Sequence, residues 1–426
     1  MTDSSPPEVL KIQRLAPGGE GVARRSNGEV VFVAGAVPGD LVEVGSIMRS
    51  GGALRGQLLS VAAPSVDRRE APCSYAGECG GCDFMQLRPE AQRQAKLSIL
   101  LDALKRIGGD PPRPADIQFV AAATSSRRSR LRLHVSGDGT CGMFSARSHR
   151  VVPVAYCLVS DERINGILSS LSQLDDGNRK RLSFCEQIEL RSAEYAPQLA
   201  VRLFPRKGIK LRTELYAQIF PSDALLTVVG STQDDEQTQL ARITEEISIP
   251  VPLSGFSQVR ADVNQQLVEA VVRVAELRNH RTFLDAYAGA GNFTIPLLCA
   301  GLEGRAVDVW GPSIIAARAT ARDLGLPFTG FDIGDARTML EHLAKAKRQF
   351  DYIILDPPRH GAKSVLEVAL RLKPRTLALV ACDPVSLARE LGTLTAKGAR
   401  IGSLTMFDMF PETHHCETLA VVDCIE

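Results

Sequence analysis

Three residues in the last fifth of the chain have the types and placement to do covalent chemistry. Asp356 ends the run Phe350-Asp-Tyr-Ile-Ile-Leu-Asp356 ahead of Pro357-Pro358. Cys382 ends Leu377-Ala-Leu-Val-Ala-Cys382 ahead of Asp383-Pro384, and Glu417 follows Asp408-Met-Phe-Pro-Glu-Thr-His-His-Cys416. The first two segments are apolar runs of strand length that stop abruptly at polar residues, which is how a buried parallel strand delivers side chains to the edge of a sheet. Ligands of open α/β sheets bind outside the carboxyl ends of the strands, so a thiol and two carboxylates at three such ends can share one cleft. A thiol in that cleft supplies a nucleophile and a carboxylate a base. Cys382 also suits plain packing behind Leu-Ala-Leu-Val-Ala; its place at the junction with Asp-Pro favours the reactive reading.

Two further constellations stand out. Cys73, Cys79 and Cys82 are spaced C-x5-C-x2-C in a glycine-rich segment, well suited to wrap a compact inorganic centre. Cys157 is the best candidate for a fourth ligand, Cys141 the next, and the spacing leaves zinc and an iron–sulfur cluster both open. Four protein thiolates leave no open coordination position, so the role such a centre suggests is structural or RNA-facing. Further on, an apolar strand ends at Asp285 and a Gly289-Ala-Gly291 turn leads into a helix, where the backbone can approach a ligand at the helix N-terminus. Asp308 ends the next strand, placed to accept ribose hydroxyls, and Asp335 follows where a third strand would end, placed for the adenine edge. Acidic strand ends without the remaining glycines of a dinucleotide fingerprint favour S-adenosylmethionine over NAD.

The elements that must position these residues follow from pattern. Residues 8–63 alternate short β-rich runs with Gly/Pro turns and read as a small β-barrel within a 1–65 domain. Its turns, carrying Arg24 and Arg25, suit either nucleic-acid binding or a structural cap. Residues 87–108 have helical periodicity with a glycine stop, the span 66–250 reads as a central α+β domain around the cysteine loop, and 230–246 reads as a polar excursion on the surface. From 251 to 426 helix and strand alternate, the pattern of an α/β domain.

With 426 residues the chain has room for two or three domains. A net charge of +1 leaves nucleic-acid binding to local patches such as Ser125–Arg132, which also suits a solvated strand face. No run of ~18 apolar residues is present and the start lacks a signal-peptide pattern, so the expectation is a cytoplasmic protein with no membrane partner. In a reducing compartment the ten cysteines read as metal or catalytic sites before disulfides.

Together these segments resemble the RNA (uracil-5-)-methyltransferases, particularly the iron–sulfur, TRAM-domain branch whose bacterial members act on 23S rRNA. The likeness runs through the barrel, Cys73-Ser-Tyr-Ala-Gly-Glu-Cys-Gly-Gly-Cys82, Phe256-Ser-Gln-Val-Arg-Ala-Asp-Val-Asn264, Asp356-Pro-Pro-Arg-His-Gly361 and the segments bearing Cys382 and Glu417. It implies an OB-like TRAM barrel, a central domain with the cluster loop and a Rossmann-like class I methyltransferase domain. It implies Cys73, Cys79, Cys82 and Cys157 as [4Fe–4S] ligands and Gln258, Tyr287, Asn292, Asp308, Asp335 and Asp356 around S-adenosylmethionine. Cys382 is then the nucleophile and Glu417 the base, in a monomer acting on rRNA or tRNA. The chain departs from the family at Ala288, at Asp308 and at Asp383, where Asn is usual. A carboxylate close to the thiol would raise its pKa.

The implied chemistry explains the residue types. Carbon 5 of uracil is too weak a nucleophile for a methyl sulfonium until a thiolate adds at carbon 6, and a base must then remove the carbon-5 proton. Arg359 can compensate charge on the enolate or thiolate, and His414 or His415 is a candidate proton shuttle beside the base. The base must be splayed out of folded RNA to admit the thiol. An exocyclic-amine methyltransferase would want an aromatic residue where Arg359 stands, and a cytosine-5 enzyme a cysteine beside Pro357-Pro358. A non-catalytic RNA-binding protein of the same fold is the alternative that Asp383 keeps open.

Overall fold

The computed structural model describes residues 6–108, 116–123, 127–193, 196–327 and 330–424; Ser125 and Ser126 of the basic stretch lie outside them. Strand β1 (Glu8–Leu15) turns Leu10 and Ile12 inward and Val9 and Lys11 outward, the period-two signature of a one-sided strand, and an irregularity in register after Ile12 brings Leu15 inward too. With β2 (Gly21–Arg24), β3 (Val30–Val33), β4 (Leu41–Ser50) and β5 (Ala53–Ala63) it closes a barrel in the order β1-β2-β3-β5-β4. Space inside is tight enough that a Cβ on Gly56 would lie 2.2 Å from a Val44 methyl.

Helix α1 (Pro89–Ala103) begins with proline in its first turn, where the missing N–H costs nothing, and buries Gln92, Lys96 and Ile99. It does not simply stop at Gly108, because its last turn widens into a π-turn over Leu104–Gly108. Strand β6 (Ile117–Val120) follows.

Strands β7 (Arg130–Val135), β8 (Cys141–Phe144) and β9 (Val151–Pro153) precede helices α2 (Glu162–Ser172) and α3 (Asp176–Leu182). Then come β10 (Cys185–Ala193), β11 (Ala196–Pro205) and β12 (Leu225–Val228), giving a sheet in the order β12-β11-β10-β7-β8-β9. Ile164, Ile167, Leu168 and Leu171 of α2 share a core with the inward residues of this sheet. Next lie helix α4 (Thr232–Glu236) and the hairpin β13 (Thr238–Arg242)–β14 (Ser248–Pro252). The expectation that 230–246 lies at the surface holds for most of its residues and fails at Asp234, Gln239 and Ile243, which are buried. Asp234 is buried and grips the Arg202 guanidinium with both oxygens, each at 2.7 Å. Its polarity serves an internal ion pair rather than solvent.

The C-terminal part alternates helix and strand: α5 (Ala261–Leu277), β15 (Thr282–Ala286), α6 (Thr294–Cys299), β16 (Glu303–Asp308), α7 (Gly311–Asp323), β17 (Phe331–Ile333) and α8 (Ala336–Lys345). It continues with β18 (Tyr352–Leu355), α9 (Lys363–Arg371), β19 (Thr376–Ala381), α10 (Pro384–Thr395), β20 (Arg400–Phe407) and β21 (Glu417–Asp423). The sheet order is β17-β16-β15-β18-β19-β21-β20-β6. Every residue of β18 and β19 is buried, as continuous apolar runs in the middle of a doubly covered parallel sheet require. Strand β21 runs antiparallel to β19, and β6, from far upstream, forms the last strand beside β20. The π-turn after α1 lies against α10 so closely that a Cβ on Gly392 would be 3.2 Å from the Ile107 carbonyl oxygen. Among the described residues no helix is long and apolar enough to cross a membrane.

Candidate active site

The sheet register brings the thiol and the second carboxylate together. Ala381 of β19 pairs with Thr418 of β21 in antiparallel register, so Cys382, one residue on, faces Glu417, one residue back. Glu417 thus reaches the cleft from the start of an antiparallel strand, not from the end of a parallel one. Asp356 follows Leu355, the last residue of the neighbouring β18. The three groups feel one another electrostatically. Burial, then Glu417 and Asp356, push the Cys382 thiol up to about 11, with Arg359 opposing. Burial lifts Glu417 to about 7 against the pull of Arg359. Asp356 is driven well above the carboxylate range by burial, by Glu417 and by Asp285, since neighbouring carboxyls in a low-dielectric site resist ionising together. Arg359 is the cation that opposes these shifts for both thiol and base.

Asp383, next to the thiol in sequence, has a structural role in the fold. It is the N-cap of α10, its Oδ1 accepting the Ser386 N–H at 2.6 Å. Asn serves this position equally well, which accounts for an Asp where the family usually has Asn. His414 hydrogen-bonds Asp83 through Nδ1, while burial, His414 and Arg359 push His415 down to about 4, leaving it a neutral ring against Phe410.

One cleft is lined by Gln258, Tyr287, Gly289, Asn292 and Asp356. Tyr287 joins β15 to the glycine turn in a left-handed conformation, φ 80°, and its N–H and that of Ala288 both donate to the Val307 carbonyl. Such strain persists only where the surroundings over-determine it, commonly at ligand sites. Asn292 exchanges amide hydrogen bonds with Asn264 of α5 at 2.9 and 3.1 Å. Asp308 and Asp335 hold the frame of the cleft. Asp308 accepts the N–H of Gly289 at 2.8 Å and of Trp310 at 2.7 Å. Asp335 is exposed and caps α8 through Thr338. Both raise the Tyr287 pKa, which burial leads upward to about 12, so both lie near its ring.

The cleft has a second wall that sequence reasoning missed. Arg191 and Ser192 of β10 and Gln239 to Ile243 of the hairpin line it opposite the glycine turn. Behind them Glu189 receives Arg132, Arg191 and Arg202, the closest at 2.6 Å, and Arg202 continues to Asp234. Arg130 lies over the exposed Phe256 ring, 5.0 Å from its centroid. Arg130 and Arg132 of the basic stretch therefore have intramolecular partners. Only the clustering of arginine with Glu189 hinted at this in the sequence.

Among the cysteines, Cys79 and Cys82 are raised by burial first and then by neighbouring thiols: Cys157 and Cys73 act on Cys79, Cys157 and Cys79 on Cys82. Cys79 thus lies near Cys73, Cys82 and Cys157, and Cys82 near Cys157, whereas Cys141 lies by Cys185 in the central core. In kind and number this donor set fits an all-thiolate centre. Among the described residues, however, no group of three or more His, Cys, Asp and Glu side chains is drawn into a metal cage.

A mostly parallel sheet with an antiparallel β21, a glycine turn after β15, acidic residues at or beyond the ends of β16 and β17 and a cleft at its carboxyl edge defines the methyltransferase fold. The crystal structure of Pyrococcus abyssi tRNA (uracil-54, C5)-methyltransferase in complex with S-adenosyl-L-homocysteine has the same fold, with TM-score 0.74 and 22% identity over 97% of this chain and 100% of that one. A family model described as tRNA (Uracil-5-)-methyltransferase matches residues 335–423. The 23S rRNA (uracil(1939)-C(5))-methyltransferase RlmD of Aeromonas hydrophila is 30% identical over 94% of this chain and 92% of its own length. An uncharacterized RNA methyltransferase of Streptomyces avermitilis is 30% identical over 97% of both. The chain belongs to the RNA (uracil-5-)-methyltransferase family, whose members use S-adenosylmethionine as methyl donor.

Proposed function

We propose that this enzyme methylates carbon 5 of a uridine in 23S rRNA through a covalent adduct between Cys382 and the pyrimidine. The observation that carries the mechanism is the juxtaposition of Cys382 and Glu417 across the β19–β21 seam. The Cys382 thiolate adds to carbon 6, forming an S–C6 bond and moving the ring's π electrons to an enolate. Carbon 5 then attacks the methyl group, forming C5–CH3 as the sulfonium S–CH3 bond breaks and S-adenosylhomocysteine leaves. Glu417 takes the carbon-5 proton, the double bond returns, and the S–C6 bond breaks to restore the thiolate. Arg359 offsets negative charge on thiolate and enolate. Gln258, Tyr287, Asn292 and Asp356 would surround the donor, with Asp308 at the ribose and Asp335 at the adenine. Full-length similarity to RlmD supports rRNA over tRNA as substrate.

In this reading residues 1–65 form an RNA-binding barrel, 66–250 a central domain and 251–426 the methyltransferase domain. Cys73, Cys79, Cys82 and Cys157 hold a [4Fe–4S] cluster that ties the cysteine loop to the central sheet. Anaerobically purified protein should then absorb broadly near ~400 nm; a colourless protein with stoichiometric zinc refutes the cluster.

Mass spectrometry of rRNA and tRNA from a deletion strain should show one 5-methyluridine lost from 23S rRNA, and loss from tRNA instead would overturn the substrate. RNA carrying 5-fluorouridine should form a denaturant-stable complex with the wild-type enzyme in the presence of S-adenosylmethionine but not with Cys382→Ala. Absence of a complex with wild type ends the adduct mechanism.

A further inference from the structure

The residues before Glu417 are held mainly by the other half of the chain. Segment 408–416 makes few bonds within itself, Thr413 Oγ1 to the Phe410 carbonyl and His415 N–H to Thr413, while the Cys416 thiol reaches back to the Phe407 carbonyl at the end of β20. Its position comes instead from residues 69–96. Lys96, buried in α1, donates to Asp408 Oδ1 at 2.5 Å and to the Phe410 carbonyl at 3.0 Å. Asp83 accepts the His414 N–H at 2.8 Å and pairs with its ring.

The grip centres on Glu412, which is left-handed at φ 65°. Its N–H donates to Gln92 Oε1 at 3.1 Å, and its carbonyl accepts from Asp83 and Phe84 N–H at 3.2 and 2.9 Å. Its carboxylate receives Gln92 at 2.8 Å and Arg69 at 2.7 Å. A non-glycine residue keeps this conformation only where surrounding bonds enforce it. Here they bind backbone N–H, backbone carbonyl and side chain together, five residues before the base.

We propose that Arg69, Gln92 and Lys96 are positioning residues for the proton-abstraction step: by holding Glu412 and Asp408 they set where Glu417 stands relative to carbon 5. None of them reaches the cleft. The β19–β21 ladder holds the backbones of both Cys382 and Glu417, so what the clamp adds is the course of the segment that enters Glu417; its loss should show first in release of the methylated base, with thiol addition and methyl transfer changed less. This inference rests on the adduct mechanism above.

The test uses full-length Arg69→Gln, Arg69→Lys, Gln92→Leu and Lys96→Met enzymes on 23S rRNA from a strain lacking the activity. Misplacing a catalytic group by about an ångström lowers turnover by about 10- to 100-fold, so kcat of Arg69→Gln and Gln92→Leu should fall by about that factor. First-turnover methyl transfer should stay within about threefold, a change well under one decade. Methylated RNA should therefore accumulate on the protein as a denaturant-stable complex that wild type does not build up, and Arg69→Lys, which keeps a cation for Glu412, should largely restore release. Fluorouridine RNA separates the two claims. Its carbon-5 fluorine cannot leave as a proton, so these variants must trap it as fast as wild type does, and failure of wild type to trap it sinks the mechanism instead. Equal loss of first-turnover transfer and kcat, or no accumulated complex, overturns the positioning role. Should Lys96→Met not fold, Arg69, partly exposed, carries the test alone.

Discussion

Alkylation of Cys382 tests the electrostatics of the cleft directly. Burial, Glu417 and Asp356 place the thiol at about 11, some two units above an ordinary cysteine, against the opposing pull of Arg359. Each unit is a decade in thiolate at a pH below both values, so at pH 8 the free enzyme should react with iodoacetamide about a hundredfold more slowly at this position than a free cysteine. The sign of each neighbour is separately testable. Glu417→Gln removes a group that raises the thiol pKa and should speed alkylation; Arg359→Gln removes one that lowers it and should slow it. The sulfonium of S-adenosylmethionine adds a positive charge that neutral S-adenosylhomocysteine lacks, so the donor should accelerate alkylation relative to the product. The assay is mass spectrometry of the peptide bearing Cys382 across a pH series. A midpoint at or below 9, or Glu417→Gln and Arg359→Gln shifting the rate in the same direction, would refute the reasoning.

Two stability predictions accompany it. Asp234→Ala leaves the buried Arg202 without its bidentate partner and should cost about 3–5 kcal/mol, read as a lower midpoint in chemical denaturation. Asp383→Asn keeps the α10 cap and should leave stability and kcat near wild type, whereas Asp383→Ala should cost about 1 kcal/mol in the same denaturation assay.

The legible parts of the site are those with a local signature. Asp356 and Cys382 sit where apolar runs meet polar residues, and the Gly289–Gly291 turn sits between strand and helix, so short windows sufficed. The barrel was readable for the same reason, through evenly spaced short strands and turns. The second wall was hidden because Gln239 to Ile243 looks like any polar hairpin until β10 packs beside it. Asp234 misled in the same way: a carboxylate in a run of polar residues reads as solvated, and only pairing with Arg202, 32 positions earlier, takes it inside. The capping role of Asp383 was not legible, since capping depends on the backbone directions of a helix that composition does not display. The long reach from Arg69, Gln92 and Lys96 to the segment before Glu417 had no local signature either.

The position of β6 has a consequence for how this molecule can be divided. A fragment starting near residue 251 would retain the thiol, the carboxyls and the glycine turn, yet β20 would become an uncovered border, its row of amide and carbonyl groups open to whatever strand came near. Such a truncated protein would be prone to stick to copies of itself, so dissection of this enzyme should keep residues 117–120 attached to the sheet they finish.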